Sequence, residues 1–260
     1  MPDTKIIIAA HKVYPFPEST LYLPVQVGAK GKDKFLSCSD DTGDNISDKN
    51  PYYCELTALY FAWKNLQYGA VGLVHYRRYF KGTLKFSVNG RKIGVLSKEE
   101  CDNLLRETDV ILPKKRKYYI ETLYSHYAHT MYVAPLDVTG EIIKEKCGEY
   151  YAEFLRLKKR RSAHMFNMAI MKKPVLDGYC DWLFPILSEL ENRVDCKKYD
   201  AFHARFFGRI SELLLDVYVN TKRISYKEIK VVSTEKTNWV KKIGDFLLAK
   251  FTHKKYDKSF

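Results

Sequence analysis

The sequence predicts an α/β fold, a mostly parallel central sheet flanked by helices, and three observations carry that prediction. Short apolar runs, β-branched in their leading members, recur at residues 5–10, 70–74, 109–113 and 166–171, the pattern of strands buried on both faces. Between them lie stretches with apolar residues at helical spacing, so strands and helices alternate along the chain. The composition is globular: 260 residues, 46% hydrophobic and 29% charged, suffice for one large domain or two small ones and exclude a disordered or collagen-like chain.

The first run, 5–10, has no polar alternation and reads as a buried parallel strand. A proline-broken loop follows through Pro15, Pro17 and Pro24. Residues 39–45 form a polar turn dense in carboxylates, and Ser47 or Asp48 is placed to cap the next helix. That helix is expected over 52–65, where Leu56, Leu59, Tyr60 and Trp63 share a face, with Gly69 closing it. Strand 70–74 then runs directly into His75, Tyr76, Arg77, Arg78 and Tyr79. Residues 88–91, Val-Asn-Gly-Arg, are a hairpin turn. Ser97 with Glu100 makes a capping-box pattern that opens a helix to about residue 107. Strand 109–113 is closed by its proline, and 114–119 makes a basic, aromatic loop. Helical patterns fill 123–132 and 139–157, a second basic run follows at 158–161, and 166–171 is the fourth strand. Residues 176–190 and 210–219 are apolar helices.

In open sheets of this kind ligands bind beyond the carboxyl ends of the strands. The residues to watch are therefore those that follow each strand: His11 and Lys12, residues 75–78, residues 114–117, and the groups around Asn167. Two adjacent arginines after a buried strand suit a phosphate, because guanidinium bonds it bidentately at any ordinary pH; as a solvated surface loop they would do nothing. Asp40, Asp41 and Asp44 are candidate metal ligands or acceptors for sugar hydroxyls, with two of the three read as turn and cap residues. Glu55 lies among tyrosines in the first helix, and Glu212 follows Gly208 near the start of another, where it is either a general base or a first-turn acid. His126 and His129 stand three apart on a predicted helix with His164 a candidate third ligand, but there is no HExxH. The absence of GxSxG, P-loop and GxGxxG patterns disfavours hydrolase, ATPase and Rossmann dehydrogenase readings.

Lys and Arg outnumber Asp and Glu by 44 to 31, a net +13, which favours anionic partners. Residues 221–260 hold 11 of the former and 4 of the latter, so this segment is read apart from a domain at 1–220. Within it Trp239, Val240, Ile243, Phe246, Leu247 and Phe251 share one helical face, the pattern of a basic amphipathic helix at an anionic membrane surface or of a helix packed on the domain. The six cysteines form no CxxC pair and are expected to be reduced thiols in a cytoplasm. No signal peptide and no membrane span is expected, since no apolar run approaches about 20 residues.

Several motifs together resemble one family. They are residues 6–12 (Ile-Ile-Ile-Ala-Ala-His-Lys), 21–28 (Leu-Tyr-Leu-Pro-Val-Gln-Val-Gly), 41–50 (Asp-Thr-Gly-Asp-Asn-Ile-Ser-Asp-Lys-Asn) and 53–58 (Tyr-Cys-Glu-Leu-Thr-Ala). Residues 63–65, 74–79 (Val-His-Tyr-Arg-Arg-Tyr), 109–113, 124–126, 166–168 and 208–212 (Gly-Arg-Ile-Ser-Glu) continue them. The chain resembles the bacterial capsular and exopolysaccharide glycosyltransferases first catalogued as a domain of unknown function, some of which are galactofuranosyltransferases. The resemblance implies a GT-A-like fold and inverting transfer from a UDP-sugar to a lipid-linked oligosaccharide, in capsule, exopolysaccharide or O-antigen synthesis. It places the enzyme in the cytoplasm at the inner face of the plasma membrane, with the basic tail on anionic lipid.

Distant relatives in that fold carry an Asp-x-Asp at a strand end where this chain has His75, Tyr76 and Arg77. No metal ligand is therefore assigned and no metal cofactor expected, with manganese or magnesium as the alternative. Arg77 and Arg78 are expected to take the metal's place at the diphosphate, with His75 on phosphate or sugar. The donor site implied further comprises Ala10, His11, Lys12, Asn45, Glu55, Asn167 and Arg205. Glu212 is the expected base, with Asp41 and Asp44 as rivals. Two other classes are open: a nucleic-acid-binding protein, which the charge, the two basic runs and the tyrosines permit although no known module occurs and no nucleic-acid partner is expected, and a non-catalytic scaffold of a polysaccharide assembly complex, which would turn over no UDP-sugar.

Overall fold

The computed structural model describes residues 3–235, and the amphipathic pattern of 239–251 lies outside them. Among the described residues there are eleven strands: β1 Thr4–Ala10, β2 Tyr22–Gln26, β3 Ala70–His75, β4 Arg78–Val88, β5 Arg91–Val95, β6 Val110–Pro113, β7 Arg116–Lys117, β8 Ser162–Ala163, β9 Ala169–Lys172, β10 Tyr226–Ile229 and β11 Val231–Ser233. Eight helices accompany them: α1 Asn50–Tyr53, α2 Leu56–Asn65, α3 Lys98–Glu107, α4 Leu123–Thr130, α5 Ala134–Lys146, α6 Tyr151–Lys159, α7 Lys173–Arg193 and α8 Phe206–Thr221.

The main sheet runs in the order β10-β6-β9-β3-β1-β2. The pairs β1–β2, β1–β3 and β6–β10 are parallel. Strand β9 lies between β3 and β6 and is antiparallel to both, so every other strand of this path points the same way. The carboxyl ends of β1, β3 and β6 therefore reach one edge of the sheet, as the α/β pattern requires. The β4–β5 hairpin leaves that edge through a tight turn at Val88–Arg91, with Asn89 and Gly90 both at positive φ, as an Asn-Gly two-residue turn demands.

Two apolar layers sandwich the sheet. Ile7, Ala9, Val71 and Leu73 face a core built with α1, α2 and α4–α8; Ile6, Ile8, Ala10 and Val74 face the opposite one, closed by the hairpin and α3. Each fully buried aliphatic side chain contributes roughly 1.5–3 kcal/mol. Gly72 marks a tight contact at the centre of the sheet: a Cβ there would stand 2.8 Å from Ile170 Cγ1 and 3.1 Å from Ile6 Cγ1.

Several elements differ from the sequence expectation, each for a local reason. The stretch around Pro24 is strand β2, not a loop; it is the end strand of the path, where a missing N–H is tolerated. The helix expected over 52–65 is two, divided at Cys54, which sits at φ 55. The single helix read over 139–157 is likewise divided, into α5 and α6, at Cys147 and Gly148. The fourth strand begins at Ala169, because Phe166 and Asn167 adopt φ 80 and 52 and turn the chain. Beyond residue 220, β10 extends the main sheet and β11 pairs with β4, so the sheet draws two strands from the segment read as a tail. All six cysteines are free thiols.

The capping box reads out as expected: Ser97 Oγ accepts from Glu100 N at 3.2 Å and Glu100 Oε2 accepts from Ser97 N at 2.9 Å. Ser97→Ala is expected to lower stability by about 1 kcal/mol in a denaturant titration, with the fold retained.

Candidate active site

A cleft of about 300 Å³ opens at the sheet edge where β1 and β3 end. Ala9 and Val27 line it from the strand side; Asn50, Pro51, Cys54 and Glu55 from α1 and the bend after it; His75, Tyr76 and Arg77 from the end of β3; and His11 and Arg205 complete it. That size falls in the range of small-molecule sites.

The bend at Cys54 is what presents Glu55. Tyr53 stacks on Phe207 of α8, ring centroids 4.6 Å apart, and α1 is thereby fixed against the helix that follows Arg205. The carboxylate of Glu55 accepts a hydrogen bond from Asn167 Nδ2 at 2.7 Å and lies 3.8 Å from His75 Nε2. Asn167 is buried and fully employed: Nδ2 also donates to the Gly208 carbonyl at 3.0 Å, and Oδ1 accepts from Ser211 Oγ at 2.6 Å. His75 Nε2 donates to the Phe166 carbonyl at 2.6 Å, which fixes the ring's tautomer at that nitrogen. Arg205 Nε donates to Cys54 Sγ at 3.0 Å, and burial pushes the Cys54 thiol up to about 11, so it is a neutral acceptor at pH 7.

Positive potential concentrates here. Burial first, then Arg77, Lys12, Arg205 and Lys32, hold the His11 imidazole below its ordinary value, so it is neutral at pH 7. Its Nε2 lies 3.4 Å from the Tyr76 hydroxyl, with the two rings edge to face. Arg77 lies over the Tyr76 ring at 5.3 Å and reaches Glu235 at 3.3 Å, an exposed pair of little strength that an anion can displace.

Of the sequence candidates, the structure brings His11, Glu55, His75, Arg77 and Arg205 to the cleft, with Asn167 behind Glu55. Others it places elsewhere. Arg78 does not line the cleft: its guanidinium lies 4.7 Å over the Phe166 ring, and burial first, then Arg77, hold it below its ordinary value. The second cleft guanidinium is Arg205 instead. Ala10 turns to the opposite core, because successive strand residues alternate faces, and its carbonyl accepts from Val27 N at 2.9 Å. Lys12 is exposed, 5.6 Å from the Tyr76 ring, and adds charge without lining the cleft.

The acidic turn lies apart from the cleft lining. Asp41 pairs with Lys34 and accepts from Ser39 Oγ at 2.7 Å, and Lys34 first holds its carboxyl below the usual carboxylate range. Asp44 accepts from the Tyr60 hydroxyl at 3.1 Å, and Asn45 caps its own turn through Gly43 and Ser47. Glu212 is nearly covered, 3.4 Å from Arg209, and does not line the cleft. The three histidines weighed as a metal set are not together. His126 and His129 share buried Glu121, while His164 lies between Asp216 and Glu228. Sequence reasoning did not single out Cys54, Asn50 and Pro51; the Asn-Pro pair opening α1 was the available signal, since proline favours the first turn of a helix and so marks where α1 begins.

The lining does not fit a divalent metal. Such ions want several oxygen ligands, and the cleft offers one carboxylate beside two guanidiniums. Among the described residues no three His, Cys, Asp or Glu side chains are grouped to hold a metal ion. Among them, too, no helix is long and apolar enough to cross a membrane.

Residues 5–223 match the family described as a domain of unknown function, DUF4422. The chain belongs to the DUF4422 family. None of the curated proteins compared matches this DUF4422 chain. Among solved structures it is similar to the apo structure of the WbbM bifunctional glycosyltransferase, with 28% identity and a TM-score of 0.81. That likeness covers 90% of the DUF4422 chain and 46% of WbbM, so the chain spans about half the length of its neighbour. The fold, a mixed sheet with most strands parallel and helices on its face, is thus that of a glycosyltransferase relative.

Proposed function

We propose that this protein is an inverting glycosyltransferase whose cleft holds a nucleoside diphosphate sugar, UDP-linked by the resemblance of its motifs. The observation that carries the reading is the convergence of Arg77, Arg205 and Glu55 on one cleft at the carboxyl edge of the strands, in a fold shared with a glycosyltransferase. Arg77 and Arg205 hold the diphosphate as its charge grows during departure. Glu55 removes the proton from the acceptor hydroxyl as that oxygen attacks the anomeric carbon, and the electron pair of the breaking C–O bond leaves on the diphosphate. His75 and Asn167 position Glu55. Lys12 and Lys32 raise the potential around the donor. The acceptor we assign is a lipid-linked glycan of capsule, exopolysaccharide or O-antigen synthesis at the inner face of the plasma membrane, with galactofuranose as a donor sugar to test first.

UDP is expected to raise the melting temperature of the full chain, because it binds only the folded state; near 100 times its Kd the gain is about 2.7 kcal/mol. Arg205→Ala is expected to remove most of that gain. Transfer is expected to persist in excess chelator, since guanidinium occupies the cation's place. No UDP shift rejects the donor assignment, and activity lost to chelator but restored by manganese rejects the arginine-for-metal account.

A further inference from the structure

The two basic runs of the sequence are far apart in the chain, and the structure brings them together. Strand β7 pairs antiparallel with β8, Arg116 opposite Ala163 and Lys117 opposite Ser162, which sets residues 114–117 beside 158–161. Leu123 N donates to the Arg160 carbonyl at 2.7 Å and Tyr118 N to the Arg161 carbonyl at 2.8 Å, so the loop joining β7 to α4 is tied to the second run. Among the described residues Lys114, Arg116, Lys117, Lys159 and Arg161 pair with no carboxylate, whereas Lys158 and Arg160 are held by Asp137 and Glu153.

At the head of this basic ribbon two apolar side chains stand out into solvent: Tyr119 is 75% exposed and Ile120 51%. Tyr119 adopts φ 50, a left-handed conformation that costs a bulky residue free energy, and Arg161 Nη1 secures it by donating to its carbonyl at 3.0 Å. A paired ribbon that spends strain to project a tyrosine and an isoleucine from a field of unpaired cations is shaped for a surface that is anionic outside and apolar beneath.

We propose that the β7–β8 ribbon docks on an anionic lipid bilayer, with the cations on headgroups and Tyr119 and Ile120 entering the interface. A lipid surface is favoured over RNA because half of Ile120 stands out beside Tyr119, and an aliphatic side chain gives no stacking on bases but gains by entering an apolar interface. The position of the ribbon suits the function proposed above, on which the catalytic meaning of the docking rests. Strand β6 runs the same way as β1 and β3, so the ribbon that follows Pro113 leaves the sheet at the edge where the cleft opens. Docking there turns the cleft's edge toward a lipid-linked acceptor.

The test is co-sedimentation of the full chain with vesicles of phosphatidylglycerol and phosphatidylcholine against vesicles of phosphatidylcholine alone. Each interfacial cation is worth roughly fivefold in binding, so Arg116→Glu with Lys117→Glu is expected to weaken binding to the anionic vesicles about 30-fold or more. Tyr119→Ser with Ile120→Ser is expected to weaken it about tenfold by removing apolar contact. Melting temperature and the UDP shift are expected to stay as in the parent, which shows that the variants fold and separates this proposal from the donor assignment. Vesicle binding unchanged in both variants overturns it, as does loss in the charge variant alone accompanied by tighter binding of the parent to a single-stranded RNA oligonucleotide. A missing UDP shift with these losses intact would overturn the donor assignment and leave the lipid surface standing.

Discussion

Glu55→Gln is expected to cut sugar transfer about a thousandfold while the UDP-induced rise in melting temperature persists, the size of effect that a lost general base produces. The substitution is chosen to change charge and little else. A glutamine keeps an oxygen where Asn167 Nδ2 now donates at 2.7 Å, so the bend after Cys54 and the cleft wall are retained. The amide cannot accept the acceptor's proton. Glu212→Gln provides the contrast. Its carboxylate is nearly covered and meets Arg209 at 3.4 Å, and its replacement is expected to cost less than about tenfold in turnover. Measured turnover with the two losses exchanged would make Glu212 the base and reduce Glu55 to a donor-binding residue. Both residues share the electrostatic surroundings of Arg205, so the kinetic comparison, not proximity to that guanidinium, decides between them.

The largest stability effect is expected at Asp40. The residue is wholly buried and accepts four hydrogen bonds: from Gly28 N at 2.8 Å and Thr57 Oγ1 at 2.6 Å on one oxygen, and from Ala29 N at 3.1 Å and Ser47 Oγ at 2.5 Å on the other. These donors come from the loop after β2, the helical turn before α1, and α2, so one carboxylate joins the segments that carry the cleft wall. Asp40→Ala strands four donors in the interior and is expected to cost about 3–5 kcal/mol, a large share of the 5–15 kcal/mol typical of a domain. For a chain of this size that is a fall of roughly 6–20 °C in Tm. Asp41→Ala, which removes a pair with exposed Lys34 and one hydrogen bond from Ser39, is expected to cost no more than about 1–2 kcal/mol. Equal losses from the two variants by thermal melting would show that Asp40 is not the staple of this region.

The acidic turn shows where sequence reasoning stops. Asp40, Asp41 and Asp44 are chemically alike and almost adjacent, and each can serve a metal, a sugar or a turn. Their different roles depend on backbone N–H groups 11 and 12 residues upstream and a threonine 17 residues downstream. No local pattern encodes such partners. The same holds for the adjacent arginines. Nothing local tells Arg77 from Arg78; Arg77 reaches the cleft because it lies in the turn between β3 and β4, whereas Arg78 opens β4 and lies over the Phe166 ring. Arg205 takes the second place because Tyr53 and Phe207 bring α1 and α8 together.

By itself the sequence determined the alternation of strands and helices, the α/β class, the Asn-Gly hairpin, the Ser97 capping box and the sheet edge at which the cleft opens. These are set by periodicity, capping and turn chemistry, which act over a few residues. Only the tertiary structure decided which acids face the cleft, which guanidinium joins Arg77, and that two distant basic runs form one ribbon. Those outcomes depend on contacts between residues tens to more than a hundred positions apart, where packing and hydrogen-bond geometry, rather than local propensity, choose the partner.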